Sequence, residues 1–253
     1  VMMMLTVSEA TSVIPGISQV AIATATALMT IRLSTPPACH PALTDRILEA
    51  PDSPPGERDE AMGFTREQLA AAAGTTLPDL MPDDLRLLFV GINPGLWTAA
   101  AQAHFAKRGN RFYPALHAAG ITDWLFDESE GYRRRDVEHL LGKGVGITNV
   151  VARATAKASE LGRQELRAGG ERVAGLVAER QPRVVAVLGI TAYREAFGDR
   201  TAAVGEQPQG LAGARLFVLP NPSGLNAHEN VASLAAAYRE AAAAAGVPLA
   251  ARH

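Results

Sequence analysis

Short apolar runs and longer helical periodicities alternate along the chain from about residue 77 onward. Each apolar run is rich in β-forming residues and too short for a helix, so it predicts a buried strand. The predicted strands are Arg86–Gly91, Gly146–Val151, Val184–Gly189 and Arg215–Leu219. Apolar spacing and turn residues predict helices after Pro94 and over Arg111–Ala119, Gln164–Arg180, Ile190–Phe197 and Val231–Ala245, the last behind a capping box at Asn226–Glu229. Strands that alternate with helices are typical of an α/β fold, here three-layer α/β/α with a mostly parallel central sheet.

Residues 1–76 differ from the rest of the chain and are predicted to be an extension that is largely disordered. The Pro-rich stretch Ser34–Pro41 and the acidic stretch Pro51–Glu60 support that prediction. Ala10–Ile31 carries no charge, but its proline, glycine and threonines make it too weakly apolar for a membrane span. A short helix is predicted over Thr65–Ala73, and residues 77–253 are the predicted folded domain.

Cys39 is the only cysteine, which excludes a disulfide framework and any four-cysteine iron–sulfur or zinc site. A reducing, cytoplasmic setting fits this composition best. The formal net charge of −2 is unevenly distributed. Four arginines and nine acidic residues precede Pro82, which leaves 20 basic and 17 acidic residues in the rest of the chain. A mildly positive body is compatible with a nucleic-acid partner, although charge alone does not establish one.

Two asparagine-containing turns follow predicted strands that lie far apart in sequence. The first is Gly91–Gly95 (Gly-Ile-Asn-Pro-Gly) and the second is Asn221–Asn226 (Asn-Pro-Ser-Gly-Leu-Asn). Ligands of open α/β sheets bind at the carboxyl ends of the strands, so the two turns could face each other across one cleft. Glycine lets the backbone approach a ligand, and a helix start offers free N–H groups. The amide of Asn93 can orient a water molecule but cannot take up a proton.

Weaker interpretations of these turns stay open. One Asn-Pro-Gly turn by itself is most often structural. A non-catalytic nucleotide- or anion-binding α/β module would use the same glycines, although the chain has no GxGxxG or P-loop lysine motif. A serine hydrolase is disfavoured because Ser223 lies in Pro-Ser-Gly without a G-x-S-x-G elbow. The histidines show no metal-ligand spacing, so no metal is predicted.

Five segments together resemble the mismatch-specific uracil/thymine-DNA glycosylase family of the uracil-DNA glycosylase superfamily. They are Gly91–Gly95, Gly109–Tyr113 (Gly-Asn-Arg-Phe-Tyr), Gly146–Thr155, Gln164–Gly170 and Asn221–Asn226, in the family's order and at about its separations. The resemblance spans roughly residues 85 to 245. It implies a uracil-DNA-glycosylase-like fold and a monofunctional DNA-repair hydrolase that uses no cofactor.

The resemblance also implies a substrate and a partner. Such an enzyme flips uracil, with thymine and ethenocytosine as further candidates, out of G mismatches in double-stranded DNA and hydrolyses the N-glycosidic bond, which leaves an abasic site. DNA with G·U or related mispairs is therefore the expected partner. A monomer without membrane association is expected in the cytoplasm, or on the nucleoid in a bacterium.

Individual roles follow from the resemblance, position by position. Asn93 occupies the place of the family's catalytic asparagine, which positions the attacking water. The base-binding positions are Ile92 (through its backbone N–H), Thr98, Phe105, Asn149 and Asn221. Phe105 either stacks on the flipped base or packs in the core, and Thr98 either contacts the base or only packs. Asn149 either reads the base edge or forms a strand-end turn.

Further positions are implied to contact the DNA outside the base pocket. Gly224, Leu225 and Asn226 match the loop that wedges into the duplex and fills the gap left by the flipped nucleotide. Some members carry an arginine just after this turn, where this chain has Ala227, so contact of that side chain with the opposite guanine is in question. The phosphate-binding candidates are Gly95, Lys107, Arg108, Arg111 and Ser223. Arg133–Arg135 is interpreted as a solvated face, with phosphate contact as the open alternative.

Overall fold

The computed structural model of the chain describes residues 63–227 and 229–250. Residues 1–62 of the predicted extension therefore lie outside the described residues, and the domain boundary at residue 77 stays a prediction. The short helix expected near Thr65 is present as α1 (Arg66–Ala71), and the Thr65 hydroxyl caps it. Just before it, the Phe64 ring meets the edge of Trp97, with ring centroids 5.1 Å apart.

A twisted sheet forms the centre of the described part of the chain. Its strands are β1 (Leu87–Gly91), β2 (Val145–Asn149), β3 (Val184–Leu188), β4 (Gly205–Glu206) and β5 (Arg215–Leu219). Their spatial order is β2-β1-β3-β5-β4, and every pair is parallel except β4 with β5. The predicted mostly parallel sheet is confirmed, and the four predicted strands are present. The two-residue edge strand β4 had no signal in the apolar pattern.

Helices lie between the parallel strands along the chain, and one more helix follows β5. They are α2 (Leu96–Ala101), α3 (Phe112–Ala118), α4 (Arg134–Gly142), α5 (Arg163–Arg180), α6 (Ile190–Phe197) and α7 (Val231–Ala245). Helices α3, α5, α6 and α7 begin and end within one residue of their predicted bounds, and α2 follows Pro94 as predicted, whereas α4 was not predicted. The arginines at the start of α4 are exposed, as the prediction of a solvated face for Arg133–Arg135 requires, while Val137 and Leu140 bury its other side. The helix was not predicted because its first residues are charged and its buried apolar residues begin only at Val137.

Two local predictions were wrong. The capping box of α7 does not lie at Asn226–Glu229, because the Asn230 side chain accepts from the Ser233 N–H and the Ser233 hydroxyl accepts from the Asn230 N–H. The second strand begins at Val145, one residue earlier than predicted, and it ends at Asn149, two residues earlier than predicted. The following apolar pair is buried, but it continues into the loop beside β1 instead of extending the strand.

Alternate residues of each strand point to opposite faces of the sheet, and each face has its own core. One core joins Phe89 and Phe217 to α3, α4 and α7. The other joins Val90 and Val187 to α5 and α6. Fully apolar strands are thus explained by helices on both faces, and the three-layer prediction is confirmed. None of the helices in the described ranges is long and apolar enough to cross a membrane.

Candidate functional site

The carboxyl ends of the parallel strands bring the two asparagine turns together. A Cβ atom at Gly91 would overlap Asn149 Oδ1 and lie 3.1 Å from Phe105 Cζ. A Cβ atom at Gly189 would lie 3.5 Å from Ile92 Cδ1 and 3.6 Å from Asn221 Nδ2. Glycine at 91 is therefore needed for the approach of Asn149 and Phe105, whereas the φ of +113° is what favours glycine at 189. We call the group formed by Asn93, Phe105, Asn149 and Asn221 the carboxyl-end site.

The amide of Asn93 is held from one side only. Its Nδ2 donates to Thr155 Oγ1 at 2.7 Å, to the Pro94 carbonyl at 3.0 Å and to the Arg153 carbonyl at 3.3 Å. Carbonyl oxygens only accept hydrogen bonds, so the atom that faces them must be the nitrogen. No hydrogen bond to Asn93 Oδ1 occurs within the described residues. The half-buried side chain thus offers an acceptor, and not a donor, to a ligand or water.

Thr155 sets the direction of this hydrogen-bond chain. Its hydroxyl donates to the Lys157 carbonyl at 2.9 Å, which leaves the oxygen to accept from Asn93. The surrounding loop is joined to the first turn by the backbone as well, because the Thr155 N–H donates to the Pro94 carbonyl at 3.1 Å. Thr155 belongs to the resembling segment Gly146–Thr155, but sequence reasoning assigned it no role.

The amide of Asn149 is oriented by His104. His104 Nε2 lies 3.1 Å from the Pro78 carbonyl, so this nitrogen carries the proton. Complete burial lowers the pKa of His104 to about 4, so the ring is neutral near pH 7 and Nδ1 is an acceptor. Asn149 Nδ2 lies 3.3 Å from that Nδ1 and therefore donates to it. As a result Asn149 Oδ1 faces Gly91 and the carboxyl-end site.

Two tyrosines hold the backbone of His104. The His104 N–H donates to the Tyr132 hydroxyl at 3.2 Å, and the Tyr113 hydroxyl donates to the His104 carbonyl at 2.9 Å. His104 was not predicted as a site residue, because the histidines of the chain show no metal-ligand spacing. Its position next to the predicted base-stacking residue Phe105 was the available signal.

Phe105 has a backbone conformation that residues other than glycine rarely adopt. Its φ is +56°, in the left-handed region, which costs on the order of 1–3 kcal/mol and persists only where the surroundings enforce it. One face of the half-buried ring stacks on Phe112, with centroids 4.0 Å apart and an interplanar angle of 26°. Phe105 therefore both packs against the core and reaches the carboxyl-end site beside Gly91.

A polar cluster behind the site anchors the end of β2. The Thr148 hydroxyl donates to Asp79 at 2.6 Å, and the Arg172 guanidinium donates to Thr148 Oγ1 at 3.2 Å and to the Asn149 carbonyl. Burial raises the pKa of Asp79 although Arg172 and Thr148 oppose that shift. The backbone of Asn149 is consequently fixed from α5 while its side chain is fixed by His104.

The remaining candidates lie around this centre. Thr98 is buried in α2, which fits the packing role that the sequence left open. Gly95 is the N-cap of α2, and Asn221 Oδ1 accepts from the Ser223 N–H at 2.9 Å. Lys107 and Arg108 are exposed. Arg111, a phosphate candidate, instead directs its guanidinium at backbone carbonyls of the second turn.

Leu225 projects from the second turn with 87% of its surface exposed. A protruding leucine on a loop at the edge of the site agrees with the wedge predicted from the resemblance, although its insertion into DNA stays a prediction. Among the residues that the structure describes, no group of three or more His, Cys, Asp or Glu side chains could hold a metal ion.

Comparison with known proteins gives two findings. The profile of the uracil DNA glycosylase superfamily matches residues 78–242. Among solved structures, the chain is similar to the solution NMR structure of a candidate uracil DNA glycosylase from Methanosarcina acetivorans. The sequence identity is 20%, the match covers 66% of this chain and 97% of that chain, and the TM-score is 0.46.

Proposed function

Because this chain belongs to the uracil DNA glycosylase superfamily, we propose that it is a mismatch-specific DNA glycosylase that excises uracil from G·U pairs in double-stranded DNA. Family membership makes it a hydrolase that acts on DNA. The mismatch preference and the membership of the uracil/thymine subfamily rest on the five resembling segments. A monomeric state and a cytoplasmic or nucleoid location stay predictions.

The orientation of the Asn93 amide carries the proposal. Three acceptors on one side hold its nitrogen, so Oδ1 is available to accept from a water molecule. A water that donates one hydrogen to this oxygen keeps a lone pair for the deoxyribose C1′ atom. The first turn, Gly91–Gly95, contains no carboxylate, so general-base assistance is weak and slow turnover is expected.

Base recognition follows from the second oriented amide. In the proposal the flipped pyrimidine lies on Phe105, and Asn149 Oδ1 accepts the N3–H of uracil or thymine. Cytosine presents an acceptor at N3, which would oppose that oxygen, so unmodified cytosine is excluded because that hydrogen bond cannot form. Ethenocytosine also lacks an N3–H, and it is therefore a weaker candidate than uracil or thymine.

Bond cleavage then depends on the departing base. The N-glycosidic bond breaks toward an oxocarbenium-like sugar and a pyrimidine anion, and backbone N–H groups near Ile92 and Phe105 would stabilise that anion. Water adds to C1′ and gives up its proton to solvent, and the pyrimidine anion takes up a proton from solvent, which leaves an abasic site and the free base. A G·U mispair opens more easily than a matched pair, which favours it as the substrate.

Single-turnover excision from a G·U duplex tests the proposal. We expect Asn93→Ala to slow excision at least tenfold, which corresponds to about 1.4 kcal/mol of transition-state stabilisation. Gln209→Ala is the matched control, because it removes an exposed amide from the loop between β4 and β5. It should excise at the wild-type rate.

Two results would contradict the proposal. An Asn93→Ala enzyme within tenfold of wild type would remove the asparagine from the mechanism. A wild-type protein that binds uracil-containing DNA but excises no base from duplex or single strands would favour the non-catalytic binding module.

A further inference from the structure

The loop Asn221–Asn226, here called the Leu225 loop, is ordered by its own hydrogen bonds. The Leu225 N–H donates to Ser223 Oγ at 3.3 Å, and the Asn226 N–H donates to the Ser223 carbonyl at 2.9 Å. Asn226 Nδ2 donates to the Asn221 carbonyl at 3.1 Å. Several backbone carbonyls of the same loop accept hydrogen bonds from one side chain outside it.

Arg111 occupies the point on which these carbonyls converge. Its guanidinium lies 2.9 Å from the Asn226 carbonyl, 3.3 Å from the Ser223 carbonyl and 3.3 Å from the Gly224 carbonyl. Its backbone N–H adds a bond to the Pro222 carbonyl at 2.9 Å. No carboxylate of the described residues forms an ion pair with Arg111, so these carbonyls are its partners in place of an acid.

The segment that carries Arg111 touches the Leu225 loop at a second point. A Cβ atom at Gly224 would lie 2.5 Å from the Gly109 carbonyl, so the two backbones are in direct contact. Glycine at 224 is required by this approach, and Gly109 itself has a φ of +80°. The Gly-Asn-Arg segment and the Leu225 loop thus form one unit, braced by the half-buried Arg111.

We propose that Arg111 is a positioning residue that holds the Leu225 loop in its protruding conformation and thereby makes base excision efficient on duplex DNA. The inference rests on the proposed function and adds to it the residue that shapes the wedge. Converging carbonyl dipoles repel one another, and the guanidinium offsets that repulsion. A loop already in its inserted shape loses less conformational freedom when it binds.

The proposal separates duplex from single-stranded substrates. A wedge is needed to replace a base inside a stacked duplex, whereas a base in a single strand needs little extrusion. Loss of Arg111 should therefore impair excision from duplexes and spare excision from single strands. If Arg111 instead served folding, or simply attracted phosphates, its loss would lower the excision rates on both substrates.

Two measurements on the whole 253-residue chain test this. Hydrogen exchange of a peptide covering residues 221–227 reports the loop without any catalysis, and we expect Arg111→Ala to speed it at least tenfold while peptides of β1 and α5 stay unchanged. Single-turnover excision is measured on a G·U duplex and on a single-stranded uracil oligonucleotide of the same sequence. For Arg111→Ala, the ratio of the duplex rate to the single-strand rate should be at least tenfold lower than for wild type.

The controls are a distant arginine and a double variant. Arg180→Ala removes the same charge and a bond to the Pro82 carbonyl at the opposite edge of the sheet, and it should change neither measurement. Adding Leu225→Ala to Arg111→Ala should lower the excision rate on duplexes by less than a further threefold, because both changes disable the same wedge.

Three outcomes would each overturn the inference. The first is unchanged hydrogen exchange of the loop in Arg111→Ala, and the second is an equal decrease of the excision rate on both substrates. The third is a double variant whose decrease in rate is the product of the decreases of the two single variants. A wild-type protein that excises uracil from neither substrate would refute the proposed function instead. In that case the exchange measurement still decides whether Arg111 holds the loop.

Discussion

At the scale of single residues, the site depends on two primary amides whose chemical direction is set by other side chains. An amide can present either its oxygen or its nitrogen, and only its partners decide between them. Thr155 directs Asn93, and neutral His104 directs Asn149. Both partners are buried, so water cannot substitute for them easily. The two acceptors at the carboxyl-end site are therefore products of hydrogen-bond networks, and not of the asparagines alone.

Replacing Thr155 tests the first of these networks. Thr155→Val keeps the shape of the side chain but removes the acceptor for Asn93 and the donor to the Lys157 carbonyl. We expect single-turnover excision to slow about tenfold, because the Asn93 amide loses the shortest of its three hydrogen bonds and is held less firmly by the two carbonyls that remain; that factor equals roughly 1.4 kcal/mol.

Thr155→Ser is the matched control, since it retains the hydroxyl and should stay within threefold of wild type. A thermal melt of each variant shows whether the fold is intact. If Thr155→Val excises as fast as Thr155→Ser, the hydroxyl does not orient Asn93.

At the scale of elements, helix α5 lies unusually close to its neighbours because of two adjacent glycines. A Cβ atom at Gly169 would overlap the Val150 carbonyl, and one at Gly170 would overlap the Ala196 carbonyl. Val150 follows Asn149 directly, so this close approach also determines where the end of β2 lies. A third glycine of the helix, Gly175, is exposed and has nothing within 4 Å of its Cβ position.

The three glycines give a controlled comparison within one helix. Gly169→Ala and Gly170→Ala should each destabilise the protein by about 1–3 kcal/mol, because backbone atoms must shift to admit the methyl group. Gly175→Ala should stabilise it by up to about 1 kcal/mol, since alanine favours the helix. Thermal unfolding measures both effects, at about 2–4 °C per kcal/mol for a domain of this size. Equal melting temperatures for all three variants would refute the close approach.

At the scale of the whole molecule, one edge of the sheet gathers the groups expected to meet DNA. The exposed Lys107 and Arg108 precede Gly109, which touches the Leu225 loop. They therefore lie beside the Leu225 loop, where we expect the phosphates of a bound duplex. A guanidinium nitrogen of Arg108 also lies 3.7 Å from Glu130 Oε1, and this carboxylate partly neutralises the positive charge.

Charge reversal tests this arrangement. Lys107→Glu and Arg108→Glu should each weaken duplex binding and flatten its dependence on salt, by up to about 0.9 in the log–log slope for each phosphate that the variant no longer neutralises. Arg200→Glu, a reversal at an exposed position in the loop after α6, should leave the slope unchanged. Fluorescence anisotropy across a salt series measures the slope. If the salt dependence of duplex binding has the wild-type slope in all three variants, Lys107 and Arg108 do not bind phosphates.

The amino-acid sequence by itself determined the alternation of strands and helices, the mostly parallel sheet and the superfamily, because apolar periodicity and short turn motifs are local signals. Helix α4 was not predicted, because it begins with exposed arginines. The cap of α7 was placed at Asn226–Glu229 instead of Asn230–Ser233, because both pairs consist of an asparagine and a polar residue three positions later. Only the tertiary structure decided which atom of Asn93 and Asn149 faces the site and that Arg111 meets the Leu225 loop. Those outcomes depend on partners that lie 45 to 115 residues away along the chain, and hydrogen-bond direction at such distances is set by packing.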